Sequence, residues 1–255
     1  MTAPGSPTVV DVATIPAFDH AEAMAWAEIE AGRLVELVRR LPPDAWSRPT
    51  DCAGWDVKAV LSHVLGSLEA HRHATEFVRQ FVGATRATRR RGGPMVDHMT
   101  AAHVREHARL APADIAARIE RLAVPAVRAR RRVPPPVRAL PFRPGPPFAG
   151  RWTLGYLVDV ILNRDQWMHR VDVTRAAGIP MTVTAGHDGR LVADVVREWA
   201  AAHGQPFSLV LGGPAGGSYA AGTGGEAMCL DAVEFCRILS GRGDASGLLT
   251  TEVPF

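Results

Sequence analysis

The sequence predicts an α+β protein, with a four-helix bundle followed by a small mixed α+β domain. Before Pro180, apolar residues recur at helical spacing in four long segments. A Pro-rich stretch separates the third segment from the fourth, as a long crossover in a helix bundle would. After Pro180 the chain turns to glycines and short apolar runs, which are typical of strands and hairpins. The 255 residues are therefore divided into an N-terminal arm at 1–18, a bundle at 19–180 and a second domain at 181–255.

Start and stop signals bound the bundle helices. Pro42 and Pro43 end the first helix, and Asp56 is placed to cap the N-terminus of the second. Gly178, followed by Pro180, ends the fourth helix. The predicted helices cover about 19–41, 57–82, 95–110 with a further piece at 112–124, and 152–177.

The segment 125–149 contains eight prolines, so we expect an extended crossover rather than a core element. A basic run borders it and consists of Arg128, Arg130, Arg131 and Arg132. No aromatic residue is interleaved with this run. We therefore expect it to be a solvated linker and not a nucleic-acid contact.

The second domain carries its own signals. A helix is predicted at about 187–203, followed by an apolar strand at 207–211. The glycine-rich stretch 212–225 resembles a hairpin. It lacks the Lys-Ser/Thr of a phosphate-binding loop, so no nucleotide site is predicted there. Asp231 and Glu234 have capping-box spacing and mark the start of a last helix.

Composition excludes several functional classes. The net charge of +3 is too small to indicate a nucleic-acid partner. No apolar run is long enough to span a membrane, and the first residues do not resemble a secretory signal. The three cysteines have irregular spacing without a CxxC, which fits a reducing cytoplasm. We expect a cytoplasmic monomer or small homo-oligomer with no nucleic-acid or membrane partner.

The most informative segment is 154–173, an amphipathic helix with ionisable groups on its apolar face. Asp165, His169 and Asp172 fall in the middle of the apolar stripe. Burying an unpaired carboxylate is costly, so such groups are normally paired or bound to a metal. Asp165 and His169 are four residues apart and therefore lie one above the other. They are either two ligands of one metal ion or a buried hydrogen-bonded pair.

Periodicity leaves the third metal ligand open. His63 lies about 120° from the centre of its apolar stripe, which favours a surface or boundary position. The alternative is the sequence HVREH, in which His103 and His107 share an inward face while Glu106 lies off it. Its spacing matches the inverted zinc-protease pattern, but the short pattern favours a buried or boundary pair of neutral histidines. Cys52 precedes a helix start, which can lower a thiol pKa, but a packed apolar cysteine is the simpler interpretation.

Three segments together resemble the DinB-like, mycothiol-dependent maleylpyruvate isomerase family. CAGWDVKAVLSHVLG at 52–66 is similar to the family's opening motif, and NRDQWMHRVDVTRAAG at 163–178 is similar to its second motif. GGEAMCLDAVEFCRILSGR at 224–242 resembles the end of its sterol-carrier-like C-terminal domain. The resemblance thus implies a DinB-like metal-binding bundle with a sterol-carrier-like domain after it.

The resemblance also implies a ligand set. A divalent metal, usually zinc and with nickel as the other choice, would be held by His63, Asp165 and His169. This assignment overrides the helical-wheel position of His63 and demotes His103 and His107. The family's isomerases place glutamate where this chain has Asp165. The resemblance therefore implies the metal site more directly than it implies the family's particular isomerisation.

Three functions are compatible with such a site. In the first, mycothiol or another low-molecular-weight thiol adds to an electrophilic small molecule, giving isomerisation or S-transfer. In the second, the metal activates water and the protein is a hydrolase. In the third, the chain is a non-enzymatic, metal-stabilised binding protein for a small molecule. Asp172 is expected to orient a ligand or the cofactor, and Arg237, with Arg242 near it, to bind a substrate carboxylate.

Overall fold

The computed structural model describes residues 8–145, 148 and 150–255. Part of the predicted arm and part of the predicted crossover lie outside the described residues. The chain forms two compact units. One is Asp19–Met181, and the other joins the residues up to Phe18 with Thr182–Phe255. None of the described helices is long and apolar enough to cross a membrane.

Helices dominate the first unit, and a sheet with two helices forms the second, so the predicted α+β class is confirmed. The elements in chain order are β1 (Val9–Asp11), α1 (His20–Arg40), α2 (Val57–Arg72), α3 (Ala74–Arg91), α4 (Met95–His107), α5 (Pro112–Arg131), α6 (Pro135–Arg138), β2 (Pro141–Phe142), β3 (Trp152–Thr153), α7 (Leu154–Tyr156), α8 (Leu162–Ala177), α9 (Asp188–His203), β4 (Phe207–Gly212), β5 (Gly217–Ala221), β6 (Glu226–Asp231) and α10 (Ala232–Leu239).

Helix α2 is the centre of the bundle unit. As predicted, the Asp56 carboxylate caps it and accepts from the Ala59 backbone amide at 2.7 Å. The helix packs against α3, α4, α5 and α8, so nearly its whole circumference is buried. It ends earlier than predicted because His73 has extended backbone angles, and the expected helix at 57–82 is therefore two helices, α2 and α3.

Helix α5 runs further than predicted, into the expected crossover. Its apolar face continues through Ala123, Ala126 and Val127, all buried, and this packing outweighs the cost of Pro125 within the helix. Arg130 lies on the same buried face. The prediction of a solvated basic linker is therefore wrong for Arg130, because helical periodicity carries it inward.

The predicted helix at 152–177 contains a π-turn. Residues Leu157–Ile161 form this turn between α7 and α8. Such turns recur at functional sites. Here buried side chains donate hydrogen bonds to carbonyl groups of the turn. Arg130 donates to the Val158 carbonyl, and the Asn163 amide donates to the Asp159 carbonyl at 3.0 Å. Gly178 ends α8 in the left-handed conformation, with φ of 66°, as predicted.

The second unit is a four-stranded sheet in the order β1-β5-β4-β6. Strands β4 and β5 are antiparallel, which confirms the predicted hairpin, while β6 runs parallel to β4. Strand β1, in the predicted N-terminal arm, pairs with β5 in parallel. Trp199 of α9 packs against Phe207 and Phe235, with ring centroids 4.8 and 5.4 Å away, and forms the core of this unit.

Candidate metal centre

Helices α2 and α8 bring His63, Asp165 and His169 together. The Asp165 Oδ1 atom lies 3.4 Å from His63 Nε2 and 3.3 Å from His169 Nε2. Both imidazoles are buried, with 7–8% of the side chain exposed, whereas 23% of the Asp165 side chain is exposed. Solvent therefore reaches this cluster at its carboxylate.

The spacing of these atoms fits a metal ion better than it fits hydrogen bonds. Four ligands at about 2.0–2.1 Å around a tetrahedral zinc ion lie about 3.3 Å apart. The two distances from Asp165 Oδ1 to the histidine nitrogens match that value and exceed the usual range for an imidazole–carboxylate hydrogen bond. Two imidazole nitrogens and one carboxylate oxygen are also a ligand set that catalytic zinc sites use.

Electrostatics prepare the cluster for a cation. Burial disfavours charge on Asp165, but the adjacent His169 and His63 outweigh it and hold the pKa of this carboxyl well below its ordinary value. Burial likewise opposes a charge on His169, and Asp165 outweighs it, so the pKa of that imidazole is raised well above its ordinary value. Asp165 is accordingly a carboxylate at neutral pH.

A second carboxylate orients His169. The Nδ1 atom of His169 lies 3.0 Å from Asp172 Oδ2, and Asp172 is fully buried. The Cys52 thiol donates to the same carboxylate oxygen at 3.2 Å. This is the arrangement in which a carboxylate fixes a histidine so that Nε2 faces the metal. Cys52 is thus half-buried beside a carboxylate, and its interpretation as a packed apolar cysteine is wrong.

A chain of hydrogen bonds orients His63. Its Nδ1 atom lies 3.1 Å from His103 Nδ1, and His103 Nε2 lies 2.8 Å from Gln80 Oε1. The Gln80 amide donates to the Gly66 carbonyl at 3.1 Å. Burial, with His63 nearby, lowers the pKa of His103 to about 3, so its neutral ring accepts at Nδ1. The proton of His63 is then on Nδ1, which leaves Nε2 free to bind a metal.

Gly66 provides the space for this contact. A Cβ atom at this position would lie 2.5 Å from His103 Cγ, so only glycine lets the His103 ring lie against α2. Trp55 covers the cluster, with its ring 5.5 Å from His63 and 6.5 Å from His169. The motif at 52–66 therefore supplies Cys52, Trp55 and Gly66 as well as the ligand.

The HVREH histidines are buried, as predicted, but have different partners. His103 supports His63, whereas His107 Nε2 lies 3.1 Å from Glu69 Oε2. Glu106 faces away and pairs with Arg79 at 2.7 Å. His103 and His107 therefore do not converge on a common point, and this motif does not form a metal site of its own among the described residues.

Arg237 lies in the second unit, where it is buried. Its guanidinium pairs with Glu234 and donates to the Arg242 carbonyl at 2.9 Å. These contacts hold the end of α10, and a substrate role for Arg237 stays a prediction.

Sequence reasoning missed His103 as a partner of His63, and it missed Gln80 and Trp55 altogether. His103 carried a signal, since it lies on an inward face. Gln80 carried none, because an exposed and a buried glutamine look alike in the predicted helix.

Comparison with known proteins identifies a matching family model and two similar solved structures. The family model described as "Mycothiol maleylpyruvate isomerase N-terminal domain" matches residues 27–174. A crystal structure of the mycothiol-dependent maleylpyruvate isomerase has 16% sequence identity and a TM-score of 0.57, over 96% of this chain and 98% of that one. A histidine-to-alanine variant of that isomerase matches over the same shares with 15% identity and the same TM-score. The comparison with curated proteins finds no match. The chain belongs to the mycothiol maleylpyruvate isomerase family.

Proposed function

We propose that this protein is a metal-dependent enzyme that uses a low-molecular-weight thiol, mycothiol, to isomerise an electrophilic small molecule or to join the thiol to it by S-transfer. The observation that carries the proposal is the spacing of His63 Nε2, Asp165 Oδ1 and His169 Nε2, which fits a zinc-sized ion. Membership of the isomerase family supports the thiol. We expect a cytoplasmic monomer or small homo-oligomer.

The three protein ligands would leave one position open. A zinc or nickel ion held there would stabilise the deprotonated form of a bound thiol, which is the nucleophile. The protein residues supply the orientation. Asp172 fixes His169, and His103 fixes His63. The open position is expected beside Asp165, where the cluster is most exposed.

The proposed reaction balances without any redox partner. The thiol sulfur adds to a carbon of the electrophile. In isomerisation the sulfur leaves again after rotation about the former double bond, and in S-transfer it remains while the substrate takes up the thiol proton. Asp165 has one methylene fewer than the glutamate expected from the family resemblance, so the electrophile is proposed as a class rather than as maleylpyruvate.

Metal content of the purified protein tests the site. About one zinc or nickel ion per chain is expected in the wild type, with most of it lost in His63→Ala and in Asp165→Asn. His107→Ala is the matched control, because His107 is equally buried but pairs with Glu69, and it should retain the metal. Equal metal content in all four proteins would contradict the site.

Dependence on the thiol tests the reaction. Metal-loaded protein is incubated with a cis-unsaturated dicarboxylic or ketoacid probe, with mycothiol, with glutathione or with no thiol. Turnover that requires mycothiol is expected, with loss of activity when the metal is removed. Metal-dependent hydrolysis without any thiol would refute this proposal in favour of a hydrolase.

A further inference from the structure

Arg130 of α5 is a buried cation that forms no direct ion pair, although the Asp159 and Asp165 carboxylates are near enough to favour its charge. Arg130 is 5% exposed. Its Nη2 atom donates to Asn163 Oδ1 at 2.6 Å and to the Val158 carbonyl. Both partners are neutral, and no described carboxylate lies within ion-pair distance of it. Burial lowers the pKa of the Arg130 guanidinium to about 10, which still leaves it charged at neutral pH. A buried charge is normally paired.

Two buried donors near this cation also lack partners among the described residues. They are the Nε atom of Arg130 and the Nε2 atom of Gln166, and Gln166 is 8% exposed. Buried N–H groups almost always bond to protein, water or ligand. The structure therefore has one buried positive charge without a direct ion pair, and two buried nitrogen donors for which an acceptor is missing.

Arg130 and Gln166 line the same cavity, and the metal-ligand candidate Asp165 lines it as well. The remaining polar lining comes from Ser67 and His71. The cavity measures about 10 Å³, which is room for about one water-sized group.

We propose that Arg130 and Gln166 bind a carboxylate group of the electrophilic substrate, beside the metal ligand Asp165. This inference rests on the proposed function and adds two residues that would bind its substrate. One carboxylate oxygen fits the cavity and accepts from Arg130 Nε and Gln166 Nε2, and its charge neutralises the guanidinium. A water molecule in the cavity satisfies the two donors but leaves the charge unpaired.

Titration calorimetry on the metal-loaded protein tests the proposal. The probes are succinate and its uncharged diamide, and the variants are Gln166→Leu and Arg130→Met. Wild type should bind succinate more tightly than the diamide. Gln166→Leu should weaken succinate binding about tenfold, which corresponds to one hydrogen bond to a charged group. Arg130→Met should weaken it further, and neither variant should change the affinity for the diamide.

Arg128→Met is the matched control, because Arg128 lies two residues away in the same basic run and is exposed. It should bind succinate like the wild type. Arg130 also supports the π-turn, so the Arg130 variant is checked for native circular dichroism. If it does not fold, Gln166→Leu and Gln166→Glu decide the question. Gln166→Glu places a carboxylate in the cavity and should abolish succinate binding while keeping the metal.

Unchanged succinate affinity in the Gln166 variants would overturn the proposal, because the metal alone would then bind the carboxylate. An equal loss in Arg128→Met would overturn it too, since the effect would be general surface charge. The outcome of the thiol assay is independent of the outcome of the succinate titration. Carboxylate binding that depends on Gln166, without thiol-dependent turnover, would refute the proposed reaction and retain the carboxylate site.

Discussion

Gly66→Ala gives a sharp test of the support for His63, the proposed metal ligand. In the middle of a helix this change is ordinarily stabilising, by about 0.8–1.0 kcal/mol. Here the new Cβ would lie 2.5 Å from His103 Cγ, whereas 3.4 Å is the lower limit of ordinary contact. The His103 ring would have to move by about 0.9 Å, the difference between these two distances. That shift strains the 3.1 Å contact between His103 and His63.

The expected magnitude follows from three contributions. Overpacking costs about 1–3 kcal/mol, and the lost hydrogen bond costs about 0.5–1.5 kcal/mol. The gain in helix propensity offsets about 1 kcal/mol of this. We therefore expect the free energy of unfolding of the metal-free protein to fall by about 0.5–3.5 kcal/mol. Metal affinity should fall about tenfold or more, because His63 loses the partner that orients it.

Urea unfolding and metal titration on the same samples measure both effects. Gly83→Ala in α3 is the control, because no atom lies within 4 Å of its added Cβ, and it should stabilise the protein by up to about 1 kcal/mol. The double variant Gly66→Ala/His103→Ala should recover part of the stability but not the metal affinity. If Gly66→Ala behaved like Gly83→Ala in both measurements, the proposed role of His103 would be refuted.

Further predictions concern the charged groups of the bundle. Asp172→Asn should lower metal affinity about 10–100-fold with little change in fold, as measured by competition with a chelator; unchanged affinity would show that the carboxylate does not orient its histidine. Metal binding at pH 7 should release a proton from His169, whose pKa is raised, and calorimetry in buffers of different ionisation enthalpy would detect it. In the metal-free protein the ion pair between Asp165 and His169 should stabilise the fold at neutral pH. Its contribution should fade in acid as Asp165 is protonated through its lowered pKa, and in alkali as His169 loses its proton through its raised pKa. If the two groups were not coupled, the free energy of unfolding measured across pH would not fall in both acid and alkali from its value at neutral pH. Glu30→Gln should cost about 3–5 kcal/mol because it removes one partner of the buried ion pair between Glu30 and Arg170, and a loss below 1 kcal/mol in chemical denaturation would contradict this.

The sequence was most informative where one helix face meets one core. Asp165, His169 and Asp172 lie on the apolar stripe of α8, and the structure buries all three side chains largely or fully. His63 was different. Its angle on the helical wheel favoured a boundary position, yet the residue is 6% exposed. A wheel assumes one buried face, and α2 has neighbours on nearly every side.

The supporting residues were out of reach for a related reason. His103 and Cys52 contact the cluster, and Gln80 contacts His103, only because α3, α4 and the segment before α2 close around it. Local periodicity contains no information on such packing. Arg130 was misplaced because proline content was weighed above helical spacing. Its burial follows from α5 continuing to Arg131, where tertiary contacts outweigh the proline.

The pairing of β1 with β5 has a consequence for synthesis on the ribosome. Val9 pairs with Ser218, a residue made roughly 200 positions later, which takes about 10–40 s at ordinary elongation rates. During this interval the whole bundle unit emerges and can fold, while β1 has no sheet to join. Once the sheet forms, β1 covers one edge of β5, and exposed edges are sites of aggregation. Removal of the residues that precede Asp11 would therefore leave the bundle unit intact and make the other unit prone to self-association.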